Sequence, residues 1–214
     1  MELGTLLLTH PNQRGFPTSQ MAKKIVALLG SARKQGNSAL LLDQFLAGFR
    51  SCVPCDVTRF DLVGMHIQPC LACGFCKKRD DDVCARKDDA QTIIDACVDA
   101  DVIVFSVPVY FRNVPGTVKL LIDRFHVFFD KDDHPKQRYA PLFKDKWVVA
   151  LANCADPVDE WCKDTTHAVY SLTHFLPSHF AELCVPGCVP GSLVSEDPDK
   201  QARAFDFGVQ LAKD

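Results

Sequence analysis

Three nearly continuous apolar runs constrain the fold of this chain more than any other feature. They are Ile25-Val26-Ala27-Leu28-Leu29, closed by Gly30; Val102-Ile103-Val104-Phe105-Ser106-Val107, closed by Pro108; and Trp147-Val148-Val149-Ala150-Leu151-Ala152. Each is strand-length, and none alternates with polar residues as a strand with one wet face does. Such runs suit strands buried on both faces, as in a parallel sheet covered by helices. Helical stripes separate them. Leu41, Leu42, Phe45, Leu46 and Phe49 follow Ser38. Ala90, Ile93, Ile94, Cys97 and Val98 follow Asp88 and Asp89, two residues suited to capping. Val118, Leu121, Ile122 and Phe125 form the third stripe.

Two weaker strands complete the pattern. Thr58, Phe60 and Leu62 alternate as a half-exposed edge strand would, and Phe180 to Val185 forms the last strand. Residues 158–176 read as a helix, and Ala202, Phe205, Val209 and Ala212 mark a closing one. Strands thus alternate with helices five times. The expected fold class is α/β, a doubly wound five-stranded parallel sheet with the flavodoxin-like order 2-1-3-4-5. Residues 1–22 read as an irregular extension, rich in turn formers such as Pro11, Asn12, Gly15 and Pro17, ahead of one domain over residues 23–214. Met21 is, as a hypothesis, the physiological start; a native mass that includes residues 1–20 would refute it. Asp130 to Lys146, rich in charge and proline, reads as an exposed loop.

Composition narrows the function classes. A net charge of −3 offers no electrostatic case for nucleic acid. No apolar run approaches the roughly 20 residues of a membrane span, and Leu6-Leu7-Leu8 lacks the flanks of a secretory signal. Eleven cysteines cannot all pair within one chain, and the α/β pattern is unlike a disulfide scaffold, so a reducing cytoplasm is expected.

In such a sheet, ligands bind outside the carboxyl ends of the strands. Gly30-Ser31-Ala32-Arg33-Lys34-Gln35-Gly36-Asn37-Ser38 links the first strand to the first helix. The helix amino end presents backbone N–H groups to an anion, Ser31, Asn37 and Ser38 add neutral donors, and Arg33 adds a charge. The loop is neither a Walker loop nor G-x-G-x-x-G, which disfavours a nucleoside triphosphate. Pro108-Val109-Tyr110-Phe111-Arg112-Asn113-Val114-Pro115-Gly116 offers backbone amides and an aromatic pair to a planar ring. Between these loops lies a cysteine ladder, Cys70, Cys73, Cys76 and Cys84, spaced C-x2-C-x2-C-x7-C. Its thiols suit an iron–sulfur cluster, zinc, disulfides or no ligand at all. It follows strand two and is expected on the same edge as the two loops.

Residues 24–124 resemble the NADPH-dependent FMN reductase family and, within it, the iron–sulfur flavoproteins. The matching pieces are Gly30-Ser31-x-Arg33 with Gly36-Asn37-Ser38, the ladder, Asp88-Asp89, Pro108-Val109-Tyr110-Phe111 and Lys119-x3-Asp123-Arg124. The resemblance implies FMN, its phosphate at Ser31, Arg33, Asn37 and Ser38, with Gly36 permitting close backbone approach. It implies an isoalloxazine ring against Pro108, Val109, Tyr110 and Phe111, near Val114. Asn153, with Cys154 and Ala155, borders the ring by topology. The resemblance also implies a [4Fe–4S] cluster on Cys70, Cys73, Cys76 and Cys84, with Lys77, Lys78, Arg79 and Arg86 as counter-charge. Among the remaining residues, Cys97 reads as core packing, Cys154 as a surface thiol, and Asp123 and Arg124 as a local pair.

The expected activity is an NAD(P)H-dependent flavin oxidoreductase. NAD(P)H acts as co-substrate, a quinone, flavin or other small molecule as acceptor, and ferredoxin as donor if the cluster is present. The chemistry centres on the flavin, with no catalytic side chain. Family likeness implies a homodimer or homotetramer. Two rival readings are a non-enzymatic electron carrier and a zinc or redox module built on the cysteines.

Overall fold

The computed structural model describes residues 21–214 apart from 80, 82, 133 and 138. Five parallel strands run in the order β2-β1-β3-β4-β5. They are β1 Lys23–Leu29, β2 Cys55–Asp61, β3 Val102–Pro108, β4 Trp147–Asn153 and β5 His179–Val185. The helices are α1 Asn37–Arg50, α2 Ala90–Asp99, α3 Gly116–Arg124, α4 Tyr139–Phe143, α5 Glu160–Phe175 and α6 Pro198–Leu211. This is the doubly wound, flavodoxin-like sheet that the apolar runs imply. Residues 1–20 of the expected extension lie outside the described residues.

Successive strand side chains point to opposite faces, so a strand covered on both sides must be apolar throughout. Every residue of β3 is buried. On one face Val26, Leu28, Ile103, Phe105 and Val148 pack with Ile93 of α2, Leu121 of α3 and Val169 of α5. On the other, Ile25, Ala27, Leu29, Val104 and Val149 pack with Leu42 and Phe45 of α1 and Leu211 of α6. The edge strand β2 is only half covered, and Thr58 is exposed.

Three local expectations are corrected. On α6 the inward residues are Lys200, Ala204, Gly208 and Leu211, and Ala202 is exposed. A methyl group at Gly208 would overlap the backbone of Phe45, and one at Gly48 the backbone of Phe205. Glycine-permitted backbone contact with α1, rather than side-chain hydrophobicity, therefore sets how α6 faces the core. The segment from Asp130 to Lys146 is not simply an exposed loop. Tyr139 and Phe143 of α4 are buried edge-on against Phe128, with ring centroids at 4.6 and 5.2 Å. Lys146 is also buried, and its Nζ donates to the carbonyls of Val98 (2.7 Å) and Ala100 at the end of α2. Finally, Asp89 makes no side-chain cap on α2. Its Oδ2 instead accepts from the N–H of His66 at 2.7 Å, and the Asp89 N–H donates to the carbonyl of His66.

Candidate functional site

The rim at the carboxyl ends of β1, β3 and β4 is held by a buried polar network. Ser38 Oγ donates to Asn153 Oδ1 at 2.6 Å, and Ser106 Oγ donates to the Ser38 carbonyl at 2.7 Å. All three residues are buried. The network fixes the first turn of α1 to β3 and β4. Asn37 Oδ1 accepts from the Val194 N–H at 3.1 Å, tying the same turn to the segment before α6. The side chains of Asn37 and Ser38, read from sequence as donors to an anion, thus hold the helix end in place.

What that end offers outward is backbone. Gly36 sits at the α1 cap position with extended dihedrals and no side-chain cap, and the first turn carries no acidic residue. A methyl group at Gly36 would meet Arg33 Cβ at 2.9 Å and approach its Nε at 3.5 Å. The exposed Arg33 side chain therefore crosses directly over Gly36, at the positive end of the helix dipole. Ser31 Oγ accepts from the Arg33 N–H at 3.2 Å and shapes the loop below it.

The loop from Pro108 to Gly116 is joined to the end of β4 through the Val109 N–H, which donates to the Asn153 carbonyl at 2.9 Å. Tyr110 and Asn113 exchange two backbone bonds, at 3.0 and 3.1 Å. The two residues between them, Phe111 and Arg112, have φ of 51° and 59°. A two-residue turn with both central residues left-handed is usually built from Gly and Asn. Here the strain falls on bulky residues and holds Phe111 wholly in solvent. Arg112 Nε pairs with Asp164 Oδ2 at 2.6 Å and lies over the Trp161 ring of α5. Val109, Tyr110, Phe111, Arg112 and Trp161 line a cavity of about 440 Å³. Trp161 was not singled out in the sequence, because nothing local links the start of α5 to this loop. Pro108 and Val114 are buried beneath the loop.

The ladder does not lie on this rim. Cys70, Cys73, Cys76 and Cys84 together line a cavity of about 290 Å³, with Arg86, Asp123 and His126. Cys76 Sγ is 3.9 Å from the His126 carbonyl. The ladder therefore packs against the far end of α3, about 13 Å along the helix from the Val114–Gly116 end. Among the described residues, no three His, Cys, Asp or Glu side chains converge on a single-ion site.

The feet of the ladder are clamped by a buried ion pair. Arg124 Nη1 donates to Asp88 Oδ2 at 2.6 Å and to the Gln68 carbonyl at 3.0 Å. Asp88 also accepts from the N–H groups of Gln68 and Ala90, which flank the ladder on either side. Burial alone would push the Asp88 carboxyl up, but the Arg124 hydrogen bond and these N–H groups outweigh it and hold it below the usual carboxylate range. The local Asp123–Arg124 pair expected from sequence is not formed: Asp123 pairs with Lys119 at 2.5 Å, and Arg124 turns inward. The buried Arg124 guanidinium also stands beside the Cys84 thiol and interacts with it. Of the expected counter-charges, Lys77 and Arg86 line the cavity, whereas Arg79 pairs with Asp81. Lys136, from the segment before α4, donates to the carbonyls of Cys76 and Arg79 at 3.0 and 2.9 Å. Burial pushes the Cys76 thiol up, as do the neighbouring Cys84 and Cys70, with Lys136 partly opposing.

Comparison with known proteins bears on both places. Residues 23–179 match the family described as NADPH-dependent FMN reductase. An iron–sulfur flavoprotein of Archaeoglobus fulgidus is 31% identical over 198 residues, covering 89% of this chain and 79% of that protein. Five further iron–sulfur flavoproteins match over about half of this chain and about half of their own length. Among solved structures, a flavone reductase superposes with a TM-score of 0.66 at 20% identity, covering 89% of this chain and 62% of that one. An NAD(P)H:quinone oxidoreductase from Methanothermobacter marburgensis gives 0.66 at 15%, covering 89% and 97%. At these identities the structural matches speak to the fold.

Proposed function

Because this chain belongs to the NADPH-dependent FMN reductase family, we propose that it is an FMN-dependent oxidoreductase. It takes electrons from NAD(P)H and delivers them to a small-molecule acceptor of the quinone or flavin class. The observation that carries this reading is the amino end of α1, free of a side-chain cap and crossed by Arg33. A phosphate there accepts N–H bonds from Asn37 and Ser38 and a charge-assisted bond from Arg33, with Ser31 and Gly36 shaping the cradle. Val109, Tyr110 and Phe111 wall the ring on one side, supported from beneath by the buried Pro108 and Val114, and Asn153 holds the rim that borders its other edge. When bound, FMN supplies hydride acceptance and electron release. The chain supplies binding and orientation, and the exposed Phe111 and Trp161 shape the mouth through which NAD(P)H and acceptor alternate.

The ladder fits an anionic [4Fe–4S] cluster held by Cys70, Cys73, Cys76 and Cys84. Four thiols surround one cavity, and a cluster spreads its ligand sulfurs farther apart than a single zinc ion does. The buried positive charge of Arg124 beside Cys84 suits a negatively charged, sulfur-rich occupant. Such a cluster supplies single-electron relay, and a ferredoxin-class donor then becomes an alternative to NAD(P)H.

The test is an anaerobic visible spectrum of the FMN-loaded protein, first with NADPH and then with dithionite. Rapid bleaching of the flavin bands by NADPH supports the reductase. A flavin reduced by dithionite but inert to both NADH and NADPH overturns it. Iron and acid-labile sulfide, measured on anaerobically purified protein, decide the cluster separately.

A further inference from the structure

Four of the eleven cysteines gather at a second place, apart from the ladder. Cys154 follows β4, Cys162 lies in the first turn of α5, Cys184 is near the end of β5, and Cys188 follows that strand. Cys162 Sγ is 3.3 Å from Cys154 Sγ, closer than two unbonded sulfur atoms ordinarily pack. Cys162 Sγ also lies 3.7 Å from the carbonyl of Ala152, the residue that Cys184 faces across the β4–β5 register. Cys154, Cys162 and Cys184 form a row with Cys162 in the middle. Cys188 stands aside, its thiol donating to the Val185 carbonyl at 3.4 Å. The row is graded in access: Cys184 is half-buried, Cys154 is buried and Cys162 has no exposed surface. The contacts with Cys184 and Cys154, together with burial, push the Cys162 thiol up, and burial pushes Cys154 up, so both rest as protonated thiols.

We propose that Cys184, Cys162 and Cys154 form a thiol–disulfide exchange site whose substrates are low-molecular-weight disulfides. Cys184, the accessible thiol, attacks one sulfur of the external disulfide and forms a mixed disulfide. The first external thiol leaves with the Cys184 proton. Cys162 then attacks Cys184 Sγ, expelling the second external thiol with the Cys162 proton. Cys154 attacks Cys162 Sγ, its proton passes to Cys184, and the Cys154–Cys162 disulfide remains. In balance, two protein thiols are oxidised and one external disulfide is reduced to two thiols. The disulfide closes the loop directly after Asn153, so its formation stiffens the rim of the candidate flavin site. The site needs neither flavin nor cluster and stands or falls apart from the proposed reductase activity.

The test incubates the reduced full chain with oxidised glutathione, quenches it with an alkylating agent and maps tryptic peptides. Cys154 and Cys162 share the peptide spanning residues 147–163. The expected product is that peptide lighter by two hydrogens and unalkylated, with Cys184 free. Cys154→Ala should instead trap a Cys162–Cys184 cross-link, and Cys184→Ala should slow closure severalfold. A peptide that stays fully alkylated while other cysteines of the chain oxidise overturns the proposal. So does closure at an unchanged rate in Cys184→Ala.

Discussion

Arg124 and Asp88 form an ion pair at 2.6 Å with neither side chain exposed to solvent. The pair joins the end of α3 to the start of α2 and closes the ladder loop between Gln68 and Ala90. Two charges buried together are tolerated; one left alone is not. Arg124→Met should therefore cost about 3–5 kcal/mol in urea unfolding, the scale for breaking a buried pair. The double variant Arg124→Met with Asp88→Asn should recover part of that loss, since no uncompensated charge remains. A single variant as stable as wild type would contradict the clamp.

The same pair sets an acid limit. The Asp88 carboxyl titrates below its usual range when folded, against about 3.9 when unfolded. Its stabilising contribution is present above that unfolded value and is lost as pH falls through the lower folded one. Unfolding free energy, measured from pH 6 downward, should fall below about pH 4 more steeply in wild type than in Asp88→Asn. Parallel curves would mean the carboxylate adds nothing pH-dependent.

Arg33→Ala should weaken FMN by about 1.5–3 kcal/mol, the scale of a charge-assisted contact to phosphate. Quenching of flavin fluorescence on titration into the apoprotein reads this directly. Riboflavin, which lacks the phosphate, should bind both proteins equally. Unchanged FMN affinity would remove Arg33 from the site.

Cys73→Ser should abolish any broad visible absorbance beyond the flavin bands while FMN stays bound, because ladder and rim lie at opposite ends of α3. Iron content should fall with the absorbance. Absorbance that survives in the variant would place the chromophore elsewhere.

Gly208→Ala tests how the α1–α6 contact is made. The added methyl group meets backbone rather than a movable side chain, so the helices must separate. A loss of about 1–3 kcal/mol is expected, the range for overpacking, although alanine favours helix elsewhere. Thermal melts compare the two proteins, and an unchanged melting temperature would refute the close approach.

The two loops of the rim were legible in the sequence because each is a short segment whose ends are fixed by a strand and a helix. Arg33 and Gly36 sit between β1 and α1, and the run from Pro108 to Phe111 follows the end of β3. Trp161 and Lys136 were not legible. Each reaches its place from a distant segment, and no local pattern encodes which helix start or loop will meet which strand end. Cys154 misled for the same reason: a residue just past a strand reads as exposed, whereas α5 and β5 bury it.

The sequence by itself determined the sheet. The nearly unbroken apolar runs Ile25–Leu29 of β1, Val102–Val107 of β3 and Trp147–Ala152 of β4 leave burial on both faces as the one favourable outcome, and alternation with helices dictates parallel pairing. Only the tertiary structure decided what the cysteines and charges do. Thiol spacing along the chain is the same whether the loop stays on the rim or runs down the face to Arg124. Whether a charge pairs with its neighbour or with a residue far away in sequence depends on packing, through desolvation that acts only once the chain has closed around it.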